Sequence, residues 1–487
     1  MDDNKVIRTD AGAVNGQSKC PKCGATDISY NTEIGKLRCN FCRHEFEPDI
    51  AEEGRDIASL EGQYIGSGAV DIKADAEDII TLKCGSCGAE VVIDTNNSTQ
   101  ARCHWCRNTL SINSQVPNGA VPDAVLPFKL GRDEARSSIE KFVGSRKFFA
   151  HPRFKREFTT ENVMGVYFPY MVVDANTHAE FSGQGEHETR RYTVKEGDDR
   201  NTYYDADLYD VSRSFDMTVS GLTIESSKDK LDVNSREKTT NIVNSIMPFD
   251  TENCVKWDSN YLKGFTSEKR DVNVDGLKGI VGEQTKDIAR YAANDTLDFY
   301  DRGVRWDNER VEIKGQKWMA AYLPVWLYSY HQKKGGKSLL HYVAVNARTN
   351  ETMGSVPIHM PRLWIVSAFV ELLGLLATVL TSFYLLDPNE HEWWPWAFLL
   401  SGFIFFFAMY SRYRNQGARH YHEKETKTEV SDLRCSDEFV RSRYKLSNSM
   451  MSDANNNHVG GTLAGNAASG ALKMLSEGIT QEIKNQF

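Results

Sequence analysis

The chain has 487 residues, enough for two or three domains. Its composition is ordinary, 40% hydrophobic and 26% charged, with a formal net charge of -9. That acidic balance argues against a protein whose whole surface wraps nucleic acid, while leaving room for a local basic face.

Residues 1–18 carry no apolar run, so a disordered leader and no secretory signal are expected. Eight of the ten cysteines then fall into four C-x-x-C pairs: Cys20/Cys23, Cys39/Cys42, Cys84/Cys87 and Cys103/Cys106. Both quartets have the form C-x2-C-x15-C-x2-C. Without a signal peptide the compartment is expected to be reducing, which disfavours disulfides. Paired thiolates at this spacing suit tetrahedral Zn²⁺. The expectation is two zinc ribbons, 19–47 and 81–112, each a hairpin that returns its second cysteine pair to the first. Gly24 and Gly88 follow a second cysteine, where the turn wants a permissive backbone. Four cysteines close the metal shell, so both zincs are expected to be structural. Residues 48–80, acidic and glycine-containing, read as a linker with one short helix.

The ribbons interleave basic and aromatic residues: Lys22, Lys36, Arg38, Phe41, Arg43 and His44 in the first, Lys83, Arg102, His104, Trp105 and Arg107 in the second. Single-stranded nucleic acid favours that mixture. Asp27, Glu33, Glu45 and Glu47 dilute it, and a protein partner explains the same residues equally well.

Residues 119–360 contain an internal echo. "VMGVYFPYMVVDA" (163–175) parallels "WMAAYLPVWLYSY" (318–330), matching Met164, Tyr167 and Pro169 to Met319, Tyr322 and Pro324. Upstream, "LPFKLGRDEA" from Leu126 is set beside "MPFDTENC" from Met247 followed by "LKGFTSEKRD" from Leu262. Each half offers a helix pattern and an apolar strand, which predicts an α+β domain of two related sub-repeats. "GGKS" at 335–338 lacks the upstream glycine of a P-loop, since His331 takes that place. No H-E-x-x-H, G-x-S-x-G or Rossmann glycine pattern occurs, so no catalytic residue is assigned and the chain is expected not to be an enzyme.

"LWIVSAFVELLGLLATVLTSFYLL" (363–386) is long enough to cross a hydrocarbon core of about 30 Å. An acidic turn, "DPNEHE", precedes a second apolar stretch at 393–411, which opens on a tryptophan cluster. Arg362, Arg412, Arg414 and Arg419 flank the pair, which places both chain termini in the cytoplasm of a two-pass cell-membrane protein. Glu371 is the one ionisable group in the first span. It is expected to hydrogen-bond Ser401 or another polar group on the second helix, the alternative being an ion path. The cytoplasmic tail, 412–487, is polar and reads as flexible after Tyr421. Leu472, Leu475, Ile479 and Ile483 then mark a short amphipathic helix.

Tandem ribbons, the Y-x-P strands, the run "YLPVWLYSYHQKKGGKSLLHYVAVNARTNETMGSVP" and a membrane hairpin together resemble bacterial membrane proteins described as transcription-factor-IIB-type zinc-ribbon-containing. The resemblance covers roughly Cys20 to Tyr410 and implies zinc binding at the cysteines without implying a function. Some proteins of that kind carry a replication-restart helicase label, which does not transfer to a chain lacking a Walker A motif. The expected function is therefore a membrane-anchored binding or scaffold module for a protein partner. The alternatives are membrane-tethered nucleic-acid binding and an enzyme site in the duplicated domain.

Overall fold

The computed structural model describes residues 6–9, 19–25, 27–32, 34–51, 56–66, 69, 79–83, 90–94, 101–103, 109–110, 115–116, 122–197, 199–227, 244–257, 259–262, 264–268, 270, 272–334, 337–384, 398–414 and 421–447. They form an α+β protein of two compact units. One comprises residues 1–175, 220–281 and 315–427, the other 176–219, 282–314 and 428–487.

The core of the first unit is built on two strands, Met164–Glu196 and Gly303–Lys334, in the parts that lie within it. Successive strand side chains point to opposite faces, and here both faces are buried. Val166, Phe168 and Tyr170 join one apolar cluster while Tyr167 joins the other. Met319, Ala321, Leu323, Val325 and Leu327 line the first cluster; Tyr322, Trp326, Tyr328 and Tyr330 line the second. Two-sided burial explains why these segments read as nearly continuous apolar runs.

Strand pairing bears on the internal echo. Ala124 and Val125 pair in parallel with Ala321 and Tyr322. Val166 and Tyr167 pair in parallel with Thr266 and Ser267. Tyr167 and Tyr322 are the matched positions, so each short strand pairs with the long strand of the other half. Helix Arg132–Gly144 follows the first short strand and helix Val274–Asn294 the second. The counterpart of the Ala124 strand is thus Thr266–Glu268, within the "LKGFTSEKRD" run set beside it from sequence rather than in "MPFDTENC".

Parts of the expected leader and linker are structured. Val6–Thr9 pairs in parallel with Gln63–Gly66, and Gly62–Ile65 pairs in parallel with Gly315–Trp318. A Cβ on Gly315 would lie 2.3 Å from the Leu60 carbonyl oxygen, so glycine allows this approach.

In the second unit the expected flexible tail is corrected. Lys427–Leu446 is a 20-residue strand paired with Asp199–Glu225. Its polar residues find remote partners: Asp437 pairs with Arg213 at 2.6 Å, Ser442 donates to Asp207 at 2.6 Å, and Arg443 pairs with Glu186. Nearby, Arg290 bridges Asp287 and Glu309, each at 2.6 Å. The proposed amphipathic helix at 472–483 lies outside the described residues.

Candidate metal centre and membrane helix

Strands Ile28–Asn31 and Lys36–Cys39 form an antiparallel hairpin, with Glu45–Phe46 added alongside. A cysteine pair opens before the hairpin and a second closes after it. The two knuckles have the same main-chain pattern. Gly24 N–H donates to Cys20 O at 2.8 Å and Arg43 N–H to Cys39 O at 2.9 Å; Cys20 N–H reaches Ala25 O and Cys39 N–H reaches His44 O. Gly24 and Arg43, each just past its cysteine pair, have φ of 73° and 60°. Arg43 holds there a left-handed conformation that costs a non-glycine residue roughly 1–2 kcal/mol.

The four sulfurs converge. Cys20 Sγ lies 3.5 Å from Cys42 Sγ, Cys23 Sγ 3.6 Å from Cys39 Sγ, and all four sit within 4.8 Å of one another. A tetrahedral site with Zn–S of about 2.3 Å has sulfur–sulfur edges of about 3.8 Å, so the quartet could hold such an ion. Its electrostatics also favour a cation. Burial pushes the Cys20 thiol up, but the N–H groups of Cys23 and Lys22 outweigh it and bring it to about 7. The Cys42 N–H lowers Cys39. At Cys23 the Ala25 N–H pulls down, yet burial and the three crowded thiols push it up to about 12. Several thiolates in this volume repel unless a positive ion sits among them.

The ribbon is not a loose module. Ile28 and Leu37 are buried in the same cluster as Tyr261 and Leu262, and Tyr30 sits 5.2 Å from the Tyr261 ring. Lys256 N–H donates to Asp49 O, and Ala51 N–H to Cys254 O. Across the ribbon, Asn40 donates to Asp27 and accepts from Ser29, each at 3.0 Å. Lys36 pairs with Glu47 at 2.8 Å and Arg38 faces Glu45 at 4.0 Å. The acids that appeared to dilute the basic face thus neutralise two of its cations. Phe41, between the last two cysteines, is 81% exposed, with Lys22 and Arg43 also exposed on the knuckles.

Of the second quartet, Cys84, Cys87 and Cys106 lie outside the described residues, while Cys103 is fully buried. One feature of the first ribbon recurs. Leu37 and Arg38 pair with Phe46 and Glu45, and Ala101 and Arg102 pair with Leu110 and Thr109 in the same register relative to the third cysteine. The hairpin differs, however. Glu90–Asp94 pairs with Ile79–Lys83, ahead of the first cysteine pair, and its Val91 and Val92 pair with Glu268 and Ser267.

Among the described residues, one helix is long and apolar enough to cross a membrane. It runs Met360–Tyr384, and only 22% of its most apolar window is buried in the protein. A core helix would hide that surface; here Ile365 is 70% and Leu372 61% exposed. Helix Ser401–Arg414 packs against it through small residues. A Cβ on Gly402 would fall 2.4 Å from Ser367 O and 2.6 Å from Glu371 Cβ; one on Gly374 would fall 2.1 Å from Ser401 Oγ. Glu371 Oε2 accepts the Gly402 N–H at 2.7 Å. This N–H belongs to the first turn of the second helix, where donors lack an intrahelical partner and the dipole favours negative charge. The glutamate therefore caps its neighbour, by a main-chain donor that the sequence did not single out. The tryptophan cluster at 393–396 lies outside the described residues.

In the second unit, His178 Nδ1 lies 2.6 Å from Asp216 and its Nε2 3.4 Å from Ser214 Oγ. That order resembles a nucleophile relay, but Lys314 also holds Asp216 at 2.8 Å and Glu180 lies 3.6 Å from Nε2. Lys314 and His178 keep the Asp216 carboxyl below its usual range. The set is accounted for as a cross-strand ion-pair network.

No family model matches the chain, and no curated protein or solved structure matches it.

Proposed function

We propose that this chain is a membrane-anchored zinc-ribbon protein that presents a docking surface to a protein partner on the cytoplasmic side. Two structural zincs, on Cys20, Cys23, Cys39 and Cys42 and on Cys84, Cys87, Cys103 and Cys106, complete the ribbons. Two spans anchor it, with "DPNEHE" outside and both termini cytoplasmic, as the basic outer flanks of the pair favour. One observation carries the reading. A four-thiolate cluster leaves no coordination position for chemistry, and the ribbon around it exposes a large aromatic side chain at its tip. A protein partner is favoured over nucleic acid because Glu47 and Glu45 already engage Lys36 and Arg38, which removes cations a phosphate backbone would need.

The test places a photo-crosslinking residue at Phe41 in the full chain within native membranes. A discrete protein adduct, abolished by Cys39→Ser, is the expected result. Adducts to nucleic acid would transfer the reading to the alternative. Absence of both, with two zincs bound, would refute a docking role for the ribbon tip.

A further inference from the structure

We propose that Arg146, Arg362 and Arg412 form a site for the phosphate of an anionic membrane lipid at the base of the candidate membrane helix. The inference rests on that helix being a span. Arg146 follows helix Arg132–Gly144; Arg362 stands in the first turn of Met360–Tyr384, and Arg412 in the last turn of Ser401–Arg414.

Main-chain links bring these three segments together. Arg146 Nε donates to the Arg412 carbonyl oxygen at 3.1 Å. Phe149 N–H donates to the buried Tyr413 hydroxyl at 3.0 Å, and Val356 N–H to Tyr413 O at 2.9 Å. His359 N–H reaches Phe149 O at 2.8 Å, which sets the start of the first helix against the same turn. The Arg362 guanidinium lies 4.2 Å over the Phe148 ring. Tyr413 feels all three positive charges, which lower its hydroxyl against the larger upward push of burial.

The cluster has no counter-ion among the described residues. Among the described residues none of the three arginines is in an ion pair, and Arg362 and Arg412 donate no side-chain hydrogen bond. Arg146 spends Nε on Arg412 O and Nη1 on Phe142 O and Ser145 Oγ, which leaves Nη2 to donate. It is also half-buried, and burial together with the Arg412 charge brings it down to about 10. Like charges held together without an acid are unfavourable, and a bound anion relieves them. Guanidinium forks match phosphate oxygens in geometry as well as charge.

The position selects a lipid. Trp364 and Ile365, exposed apolar residues, begin the lipid-facing surface directly after Arg362, and Phe148 is 55% exposed beside it. Aromatic and basic residues at the mouth of a span occupy headgroup depth. A phosphate meeting these arginines there belongs to a lipid of the same leaflet.

The full chain, carried in lipid nanodiscs of phosphatidylcholine mixed with phosphatidylglycerol, is released and its retained lipids are counted by native mass spectrometry. Retention of phosphatidylglycerol over phosphatidylcholine is expected. R362Q and R412Q, at exposed positions that leave the fold intact, each reduce it about fivefold. R305Q, far along the chain in the other unit, leaves it unchanged. Equal retention of the two lipids, or R362Q and R412Q behaving as wild type, overturns the proposal. So does displacement of the lipid by inorganic phosphate at equal concentration, which would assign the arginines to a soluble anion. Alkaline carbonate extraction of the chain from vesicles would instead sink the membrane-span reading; a chain that resists extraction yet shows no lipid preference sinks only the arginine site.

Discussion

Chelation and Ile28→Ala should each destabilise the first ribbon, and their effects should not add. Ile28 is fully buried against the cluster that contains Tyr261 and Leu262. Truncating a buried isoleucine to alanine costs about 2–5 kcal/mol, so about 3 kcal/mol is expected with metal bound. The ribbon itself buries few large side chains, Ile28 and Leu37 among the described residues. At about 1.5–3 kcal/mol each they fall short of the roughly 10 kcal/mol that a structural zinc contributes. Metal removal should therefore unfold the hairpin and undock it, leaving Ile28 in water whether or not the rest is folded. The cost of Ile28→Ala then falls to near zero. Hydrogen exchange of residues 259–262, read by mass spectrometry on the full chain in detergent, reports this coupling. With metal, Ile28→Ala should speed exchange about 100-fold, the equivalent of about 3 kcal/mol; after chelation it should change nothing. An equal effect in both states would show that the ribbon docks without metal, and the argument would fail.

Other expectations follow from single contacts. Gly402→Val forces a side chain into Ser367 O and Glu371 and should cost about 1–3 kcal/mol of helix-pair stability, seen as reduced disulfide trapping between cysteines placed on the two helices. Glu371→Gln keeps an acceptor for the Gly402 N–H and should be nearly silent, whereas Glu371→Leu should cost about 1–3 kcal/mol by orphaning that donor. His341 is lowered to about 4 by burial and then by the Arg414 charge. Its folded value lies below the ordinary 6.5, so the stabilisation is complete above pH 6.5 and declines as pH falls towards 4, by about 3 kcal/mol in total. Thermal melts of His341→Asn should lose that slope; an unchanged slope refutes the assignment. Asp437→Ala leaves the buried Arg213 guanidinium without its carboxylate and should lower stability by about 2 kcal/mol, measurable as a drop in Tm. No change would mean that the 427–446 strand adds nothing to the second unit.

What was legible in the sequence was local or set by one length. A C-x-x-C knuckle needs only a tight turn, so the spacing of Cys20, Cys23, Cys39 and Cys42 sufficed to anticipate their convergence. The thickness of a hydrocarbon core sufficed to find Met360–Tyr384. Apolar runs at 164–175 and 318–330 announced core strands because both their faces are buried. The segments read as leader, linker and tail were missed in part. Val6–Thr9, Gly62–Gly66 and Lys427–Leu446 join sheets through main-chain hydrogen bonds, which any side chain permits, so composition carries little trace of them.

By itself, then, the order of residues determined one thiol cage, the apolar helix and the repetition of a strand motif, since each depends on neighbours within a few turns of chain. Tertiary structure decided which half each short strand joins, which donor Glu371 finds, and that Arg146 meets Arg412, 266 positions away. Those outcomes depend on free energies of pairing between remote groups. A charged residue looks the same in one dimension whether its partner is water, a carboxylate or another arginine.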